Sequence, residues 1–380
     1  MRAWCVAVPK AQGEGIRKQL LERGLLLKHL RIVREGDLLL LPTAGRVAVG
    51  FPVDERDFSE EFVAIRTYKD VANVPPSLRP SLPSSFDVVG DIAVIKIPEG
   101  LRSHREAIGR AILRWNPKIR VAAEDHGVKG ERRVRQIGFI AGERRTTTVH
   151  VEHGLRYRVD LAAAYFSPRL ASERRRIADL VHEGEVVADP FAGVGPYAIL
   201  IARRRRPRQV HASDANPIAV ELLRSNVAAN RAERVDVREG DARTVLGKVG
   251  PVDRVILDLP HSALRFLPDA LAACGSRGTI HLYRILEEAE AADTERRIRS
   301  VAHAEGFRVV DLRRHHVRAY SPTQHHVAFD VTVVRGSRPS GPGTSRTDGR
   351  TSRTRANRGS GRPPGRSGLQ SGARASQTIH

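Results

Sequence analysis

The chain of 380 residues is long enough for two or three domains, each with a core of its own. It has no unbroken apolar stretch near twenty residues, which excludes an ordinary membrane span, and its start, "MRAWCVAVPKAQGEG", lacks a signal-peptide core. Two cysteines, Cys5 and Cys274, with no CxxC pair or His cluster at ligand spacing, leave no basis for a disulfide framework or a structural metal centre, while a formal charge of +21 points to a polyanionic partner. A cytoplasmic, reducing compartment and a monomer are expected. The bland alternative for the charge is a basic solvated surface.

In chain order, "AWCVAVP" and "DLLLLPTA" read as strands around the helix "GEGIRKQLLERGLL", which places Ile16, Leu20 and Leu21 on one face. Residues 1–70 are therefore predicted to form a small α/β unit. "DVANVPPSLRPSLPSS" holds four prolines and four serines and predicts a linker over 71–85. Residues 86–155 read as a middle α+β domain: a strand pattern around Gly90, the helix "HREAIGRAILRW", then the basic "VKGERRVRQIGFIAGE". Over 156–335 strands alternate with helices, which implies a parallel sheet covered on both faces, and the closing "RVVDLRRHHVRAYSP" and "HHVAFDVTVV" read as an antiparallel pair. The expected class is α/β, a doubly wound, mostly parallel sheet with a final hairpin, preceded by two smaller domains. Residues 336–380, with nine Arg, one Asp and almost no large apolar side chains, are predicted to be a disordered basic tail.

The first strand of that sheet runs into "VVADPFAGVGPYAI". Gly193 and Gly195 would let the backbone approach a ligand where strand gives way to helix, at the carboxyl edge of the sheet. A lone Gly-x-Gly is equally a tight turn that holds nothing, but three further features accompany it. Asp214, ending the second strand, is placed to accept from both hydroxyls of a ribose. Asp241 follows the third strand, where it could reach an adenine amino group, and "DLP", Asp258 to Pro260, ends the fourth beside a substrate. The series resembles that of class I S-adenosylmethionine-dependent methyltransferases, whose cofactor has no phosphates and needs no longer phosphate-cradling loop. The resemblance makes Asp189, Phe191, Gly193, Gly195, Asp214, Asp241, Asp258 and Pro260 the cofactor-binding residues. Asp189 is read two ways, holding the loop or touching the methionine amine. An NAD-binding reading would predict a third glycine where Ala198 stands.

"FDVVGDIAVIKIP", "YFSPRLASER", "DPFAGVGPYAI", "DANPIAVELLRSNVAANR" and "AYSPTQHHVAFDV" occur in this order and together resemble the archaeal and eukaryotic type of tRNA (guanine-N1) methyltransferase, which modifies guanosine 37 beside the anticodon. The resemblance covers about residues 1–335. It implies Glu173 as general base for the N1 proton, Arg133 as the cation facing O6, and Tyr165 and Arg169 as contacts to the target nucleotide and its backbone. The chemistry asks for such a pair, because N1 of neutral guanine must lose a proton while charge develops on O6. Ser167-Pro168 predicts a cap that puts Glu173 early on a helix; otherwise Glu173 pairs with Arg169 or Arg176 on a solvated face. Arg133 and Arg135 share one face of a strand and Arg132 the other, so the Arg133 assignment is open by one or two positions. The family usually carries Asn-Leu-Pro where this chain has Asp258-Leu259-Pro260; a carboxylate there can still accept from the guanine amino group, and it makes Asp258 a catalytic candidate as a second possible base beside Glu173. The resemblance also implies tRNA as partner, through anticodon loop and elbow. Competing readings are a wyosine-pathway enzyme that transfers an aminocarboxypropyl group or methylates a wyosine precursor, a base-amino methyltransferase, and a noncatalytic tRNA-binding protein. No metal ligand set is visible in the sequence.

Overall fold

The computed structural model describes residues 1–60, 66–129 and 134–336. The Arg133 assignment and the expected tail beyond Gly336 lie outside the described residues.

The N-terminal segment forms a four-stranded sheet in the order β2-β3-β1-β4 from β1 (Arg2–Pro9), β2 (Val33–Glu35), β3 (Leu38–Thr43) and β4 (Val53–Asp57), with α1 (Lys10–Glu22) packed on β1 and β3. Leu20 is buried from the expected helical face, with Ile16 packed against the same cluster.

The predicted linker is packed structure. The short helix α2 (Tyr68–Val71) and a 3-10 turn over Pro76–Ser81 place Tyr68, Ala72, Val74 and Leu82 in a core shared with α3 (Arg105–Trp115), and the Tyr68 hydroxyl donates to the Pro83 carbonyl at 2.5 Å. The prolines are interleaved with apolar side chains that have a surface to bury, so the segment is ordered by packing where its composition reads as a spacer. The pattern around Gly90 is two strands, β5 (Asp87–Val89) and β6 (Ile92–Ile95), turning at Gly90. With β7 (Val121–Lys129) and β8 (Val134–Gly142) they make the second sheet, β5-β6-β7-β8. A separate hairpin, β9 (Thr147–Glu152) and β10 (Leu155–Asp160), follows, and the expected boundary at 155/156 falls inside it.

The catalytic-type sheet has seven strands: β11 (Val186–Asp189), β12 (Gln209–Asp214), β13 (Val235–Glu239), β14 (Val252–Leu257), β15 (Cys274–Glu287), β16 (Phe307–Ala319) and β17 (Gln324–Arg335), in the order β13-β12-β11-β14-β15-β17-β16. The first five run parallel, and β17 pairs antiparallel with both β15 and β16, the predicted hairpin finish. Side chains alternate along a strand, so Val187 enters the core under α4 (Ala171–Leu180), α5 (Pro196–Arg204) and α6 (Pro217–Ala229). Val186 and Ala188 enter the opposite core under α7 (Ala242–Leu246), α8 (Leu267–Ala273) and α9 (Ala291–Ala304). Val89, Ile92, Val94 and Val121 of the middle sheet join the first of these cores together with Tyr157 and Val159 of the hairpin.

Candidate active site

The strand order reverses direction between β11 and β14, and in such sheets the crevice outside the carboxyl ends of the strands is where ligands bind. A cavity of about 670 Å³ lies there, lined among others by Tyr165, Phe191, Gly193, Asp214, Asp241 and Asp258. Those six are expected site residues that the structure brings together. Residues the sequence did not single out complete the wall. Phe266 meets Phe191 edge-on at 4.9 Å, and the Arg243 guanidinium lies 4.4 Å over the Phe266 ring, so the two rings and the cation pack together as one wall of the cavity. "LRFLP" reads in sequence only as a helix start, and the aromatic pairing in this wall joins residues 75 positions apart, so no local signal marks it.

The two glycines have different duties. Both are left-handed, Gly193 at φ 54° and Gly195 at φ 91°. A Cβ on Gly195 would stand 2.3 Å from Leu223 Cδ1, so this position serves the close packing of α5 on α6 and does not line the cavity. A Cβ on Gly193 would meet only the Tyr165 carbonyl, at 3.4 Å, and otherwise project where the cavity is. The Gly193 N–H donates to Asp214 Oδ2 and the Asn216 N–H to Oδ1, both at 2.9 Å, so the carboxylate at the end of β12 is pinned to the glycine turn. Asn216 in turn caps α6, its side chain accepting from the Ile218 N–H at 3.2 Å with Pro217 at the first helical position. Asp241 caps α7 through the Arg243 N–H at 2.9 Å.

Asp189 and Pro260 are buried behind the wall and do not line the cavity. Asp189 is fully buried under the glycine turn, and neither carboxylate oxygen makes a well-formed hydrogen bond among the described residues. Burial first, and then the charges of Asp258 and Asp214, push its carboxyl well above the usual range, against the pull of the Phe191 and Ala198 N–H groups.

Glu173 stands in the first turn of α4, where the helix amino end favours a negative charge. The expected cap is not made: Ser167 has no side-chain capping bond, and a 3-10 turn over Pro168–Leu170 leads into the helix. The pairing with Arg176 occurs, Nε and Nη2 each donating to Glu173 at 2.8 Å, yet the face is not solvated, since Glu173 is only 4% exposed. The Tyr283 hydroxyl donates to Glu173 Oε1 at 2.7 Å. The next residue, Arg174, turns the other way into a buried bidentate pair with Glu152 of β9, with Nε at 2.8 Å and Nη2 at 2.5 Å. The α4 helix is thus tied to the hairpin on one side and to the catalytic-type sheet on the other. Glu173 is not in the lining of the cavity, but it and Asp258 both bear electrostatically on the buried Tyr197 and Tyr283. Arg169 lies apart from the cavity, pairing with Asp87 at 2.5 Å beside a shallow groove that includes Phe86 and Pro168. Arg135 reaches the same carboxylate at 3.4 Å.

The donor set fits a sulfonium cofactor. Asp214, Asp241 and Asp258, with Arg243 and Arg265 also in the lining, set three carboxylates around the cavity as acceptors suited to ribose hydroxyls, an ammonium and a positively charged sulfur. No helix among the described residues is long and apolar enough to cross a membrane.

Comparison with known proteins agrees with this geometry. The TRM5/TYW2 methyltransferase domain matches residues 148–310, the TYW2 N-terminal domain 71–146, and the tRNA methyltransferase 5 N-terminal domain 5–44. The tRNA (guanine(37)-N(1))-methyltransferase Trm5b of Pyrococcus abyssi is 39% identical over 86% of this chain and 98% of its own length. The protein of the same name from Methanocaldococcus jannaschii is 32% identical over 87% and 98%. The crystal structure of the Pyrococcus abyssi protein superposes with a TM-score of 0.67 at 38% identity, covering 87% of this chain and 99% of the other. A structure of aTrm5 in complex with tRNALeu does so at 0.62 and 30% identity, covering 86% and 99%.

Proposed function

The chain belongs to the TRM5/TYW2 methyltransferase family, and from that membership we propose that it methylates N1 of guanosine 37, beside the anticodon of tRNA. When bound, S-adenosylmethionine supplies a methyl group whose bond to sulfur breaks as the bond to N1 forms. Phe191, Phe266 and Arg243 would border the adenine, Asp214 would accept from the ribose, and Gly193 would let the backbone come close. On the substrate side, Glu173 takes the N1 proton and Asp258 accepts from the exocyclic amino group, while Tyr165 lies against the base. Arg169 holds the neighbouring backbone, and Arg133 offsets the charge that grows on O6.

The observation that carries this reading is the placement of Glu173: a carboxylate at 4% exposure in the first turn of α4, held in one orientation by Arg176 and the Tyr283 hydroxyl. A second reading, transfer of an aminocarboxypropyl group to an already modified guanosine, has the match of residues 71–146 to the TYW2 N-terminal domain behind it. The relatives that match nearly end to end favour methyl transfer. Mass mapping of a tRNA transcript after incubation with S-adenosylmethionine separates the two, since it reports group, atom and position together. The role assignment is tested by single-turnover kinetics. Glu173→Gln is expected to lower the rate by about 10²- to 10⁴-fold, and Asp258→Asn, which restores the family's usual residue and keeps an acceptor, by much less. A fully active Glu173→Gln beside an inactive Asp258→Asn would reverse the assignments.

A further inference from the structure

Behind Glu173 lies a chain of buried polar groups that neither the cofactor reading nor the family resemblance uses. Among the described residues, Oε1 of Glu173 accepts from the Tyr283 hydroxyl at 2.7 Å and from Arg176 Nη2 at 2.8 Å, whereas Oε2 accepts only from Arg176 Nε, at 2.8 Å. The Tyr197 and Tyr283 hydroxyls are 3.2 Å apart. A phenol has one hydrogen, and that of Tyr283 is given to Glu173, so Tyr197 is the donor between the two. Both rings are buried. Burial first, then the charges of Asp258 and Glu173, hold the Tyr197 phenol far above its ordinary range against the pull of its hydrogen bond to Tyr283; burial, then Tyr197, Glu173 and Asp258, do the same for Tyr283, which is therefore a permanent donor at working pH.

The other side is equally fixed. Arg176 divides its guanidinium between Glu173 and Asp330, with Nη1 to Asp330 Oδ2 at 2.5 Å. Asp330 accepts from His281 Nδ1 at 2.6 Å, and His281 Nε2 is 2.7 Å from Arg254, which pairs with Glu185 at 2.8 Å. Burial works against ionising Asp330, but His281 and Arg176 hold its carboxyl far below the usual range, so it remains the anion that anchors Arg176. A guanidinium committed to two carboxylates offers only part of its charge to either, and cannot swing away to release the base.

We propose that Tyr283 is a positioning residue for the reaction: its hydroxyl, oriented by Tyr197, fixes the Glu173 carboxylate so that Oε2 is the oxygen that receives the substrate proton. The inference rests on the reading of Glu173 as the base. It also couples the two halves of the site, because Tyr197 belongs to α5, the helix launched by the glycine turn, and Tyr283 to β15. The charged and titratable groups that bear on Glu173 are Arg176 of α4, Tyr197 of α5, Tyr283 of β15, His315 of β16 at 3.7 Å from Oε2, Asp258 after β14, and on β17 Asp330 with His326, whose ring stands 5.5 Å from Tyr283. Of these only Tyr283 donates a neutral hydrogen bond to the carboxylate, so its removal changes the base without changing the local charge.

Tyr283→Phe is tested in the full chain by single-turnover methyl transfer to a tRNA transcript across pH, alongside cofactor affinity by calorimetry and thermal melting. A donor to the carboxylate favours its ionised form over the protonated one, and that preference is weaker without it. The acid limb of the rate profile is expected to move to higher pH by about one unit, with the rate at neutral pH down about tenfold and cofactor affinity unchanged. An acid limb that stays in place, whatever the rate does, overturns the proposal and leaves Tyr283 a packing residue. Should Tyr283→Phe fail to fold, Tyr197→Phe keeps the donor but frees its orientation and must show the same direction of shift at smaller size; no shift there overturns the proposal too. Glu173→Gln keeps the two ideas apart. If it retains the full rate, the base assignment fails, whereas if it is inactive and Tyr283→Phe leaves the limb unmoved, only the positioning role fails.

Discussion

Asp189 sits where a charge is least welcome, fully buried and facing Asp258 and Asp214 across the end of β11. Its folded pKa lies above its unfolded value near 3.8, so between the two the folded chain binds the extra proton, and stability is lost as pH rises from about 4. Asp189→Asn removes that titration while keeping an acceptor for the Phe191 and Ala198 N–H groups. In the absence of cofactor, urea denaturation is expected to show the variant more stable than wild type at pH 7, with the gap closing toward pH 4. A wild type with flat stability over that range would contradict the burial argument. Because Asp189 does not line the cavity, cofactor affinity is expected to change little in this variant, and a large loss measured by calorimetry would favour contact with the methionine amine over the loop-holding role. Glu173 shows the complementary case. Its partner Arg176 is readable from the one-turn spacing, but that the pair is buried depends on β15 and β17, residues more than a hundred positions away.

The glycine turn is an element whose two key positions fail differently when changed. Gly195→Ala would combine a positive φ with a 2.3 Å approach to Leu223 and should cost roughly 2–4 kcal/mol by chemical denaturation. Gly193→Ala carries only the backbone strain, roughly 1 kcal/mol, but places a methyl at the cavity and should weaken S-adenosylmethionine binding measurably. Equal losses of stability and affinity at both positions would refute the division of duties. The strand-turn-helix pattern around these glycines is legible in the sequence because it is local: a β-run, two residues free to take positive φ, and a helix opened by Pro196. The segment over 71–85 misleads for the same reason. Proline and serine content describes what a stretch prefers alone, whereas Tyr68, Val74 and Leu82 are ordered by α3, to which the stretch returns in space.

The charge of +21 divides into +8 on residues 336–380 and +13 on the rest. Counterion release scales with the phosphates neutralised, so removing residues 337–380 is expected to weaken tRNA binding and flatten the dependence of its logarithm on salt. The modified nucleotide is expected to stay the same, because every residue proposed to contact it precedes residue 337. Fluorescence binding at several salt concentrations with mass mapping of the product checks both, and methylation displaced to another nucleotide would contradict it.

The doubly wound class, the final hairpin, the acidic strand ends and the family motifs were all within reach of the amino-acid sequence, since periodicity and spacing are properties of neighbouring residues, whereas the strand order came with the fold. The cavity wall built by Phe191, Phe266 and Arg243, the burial of Glu173 against Tyr283, and the core that joins the middle sheet to α4 and α5 came only with the folded chain. Each of these is a contact between positions far apart, and which distant side chains meet depends on how layers pack and not on any local preference.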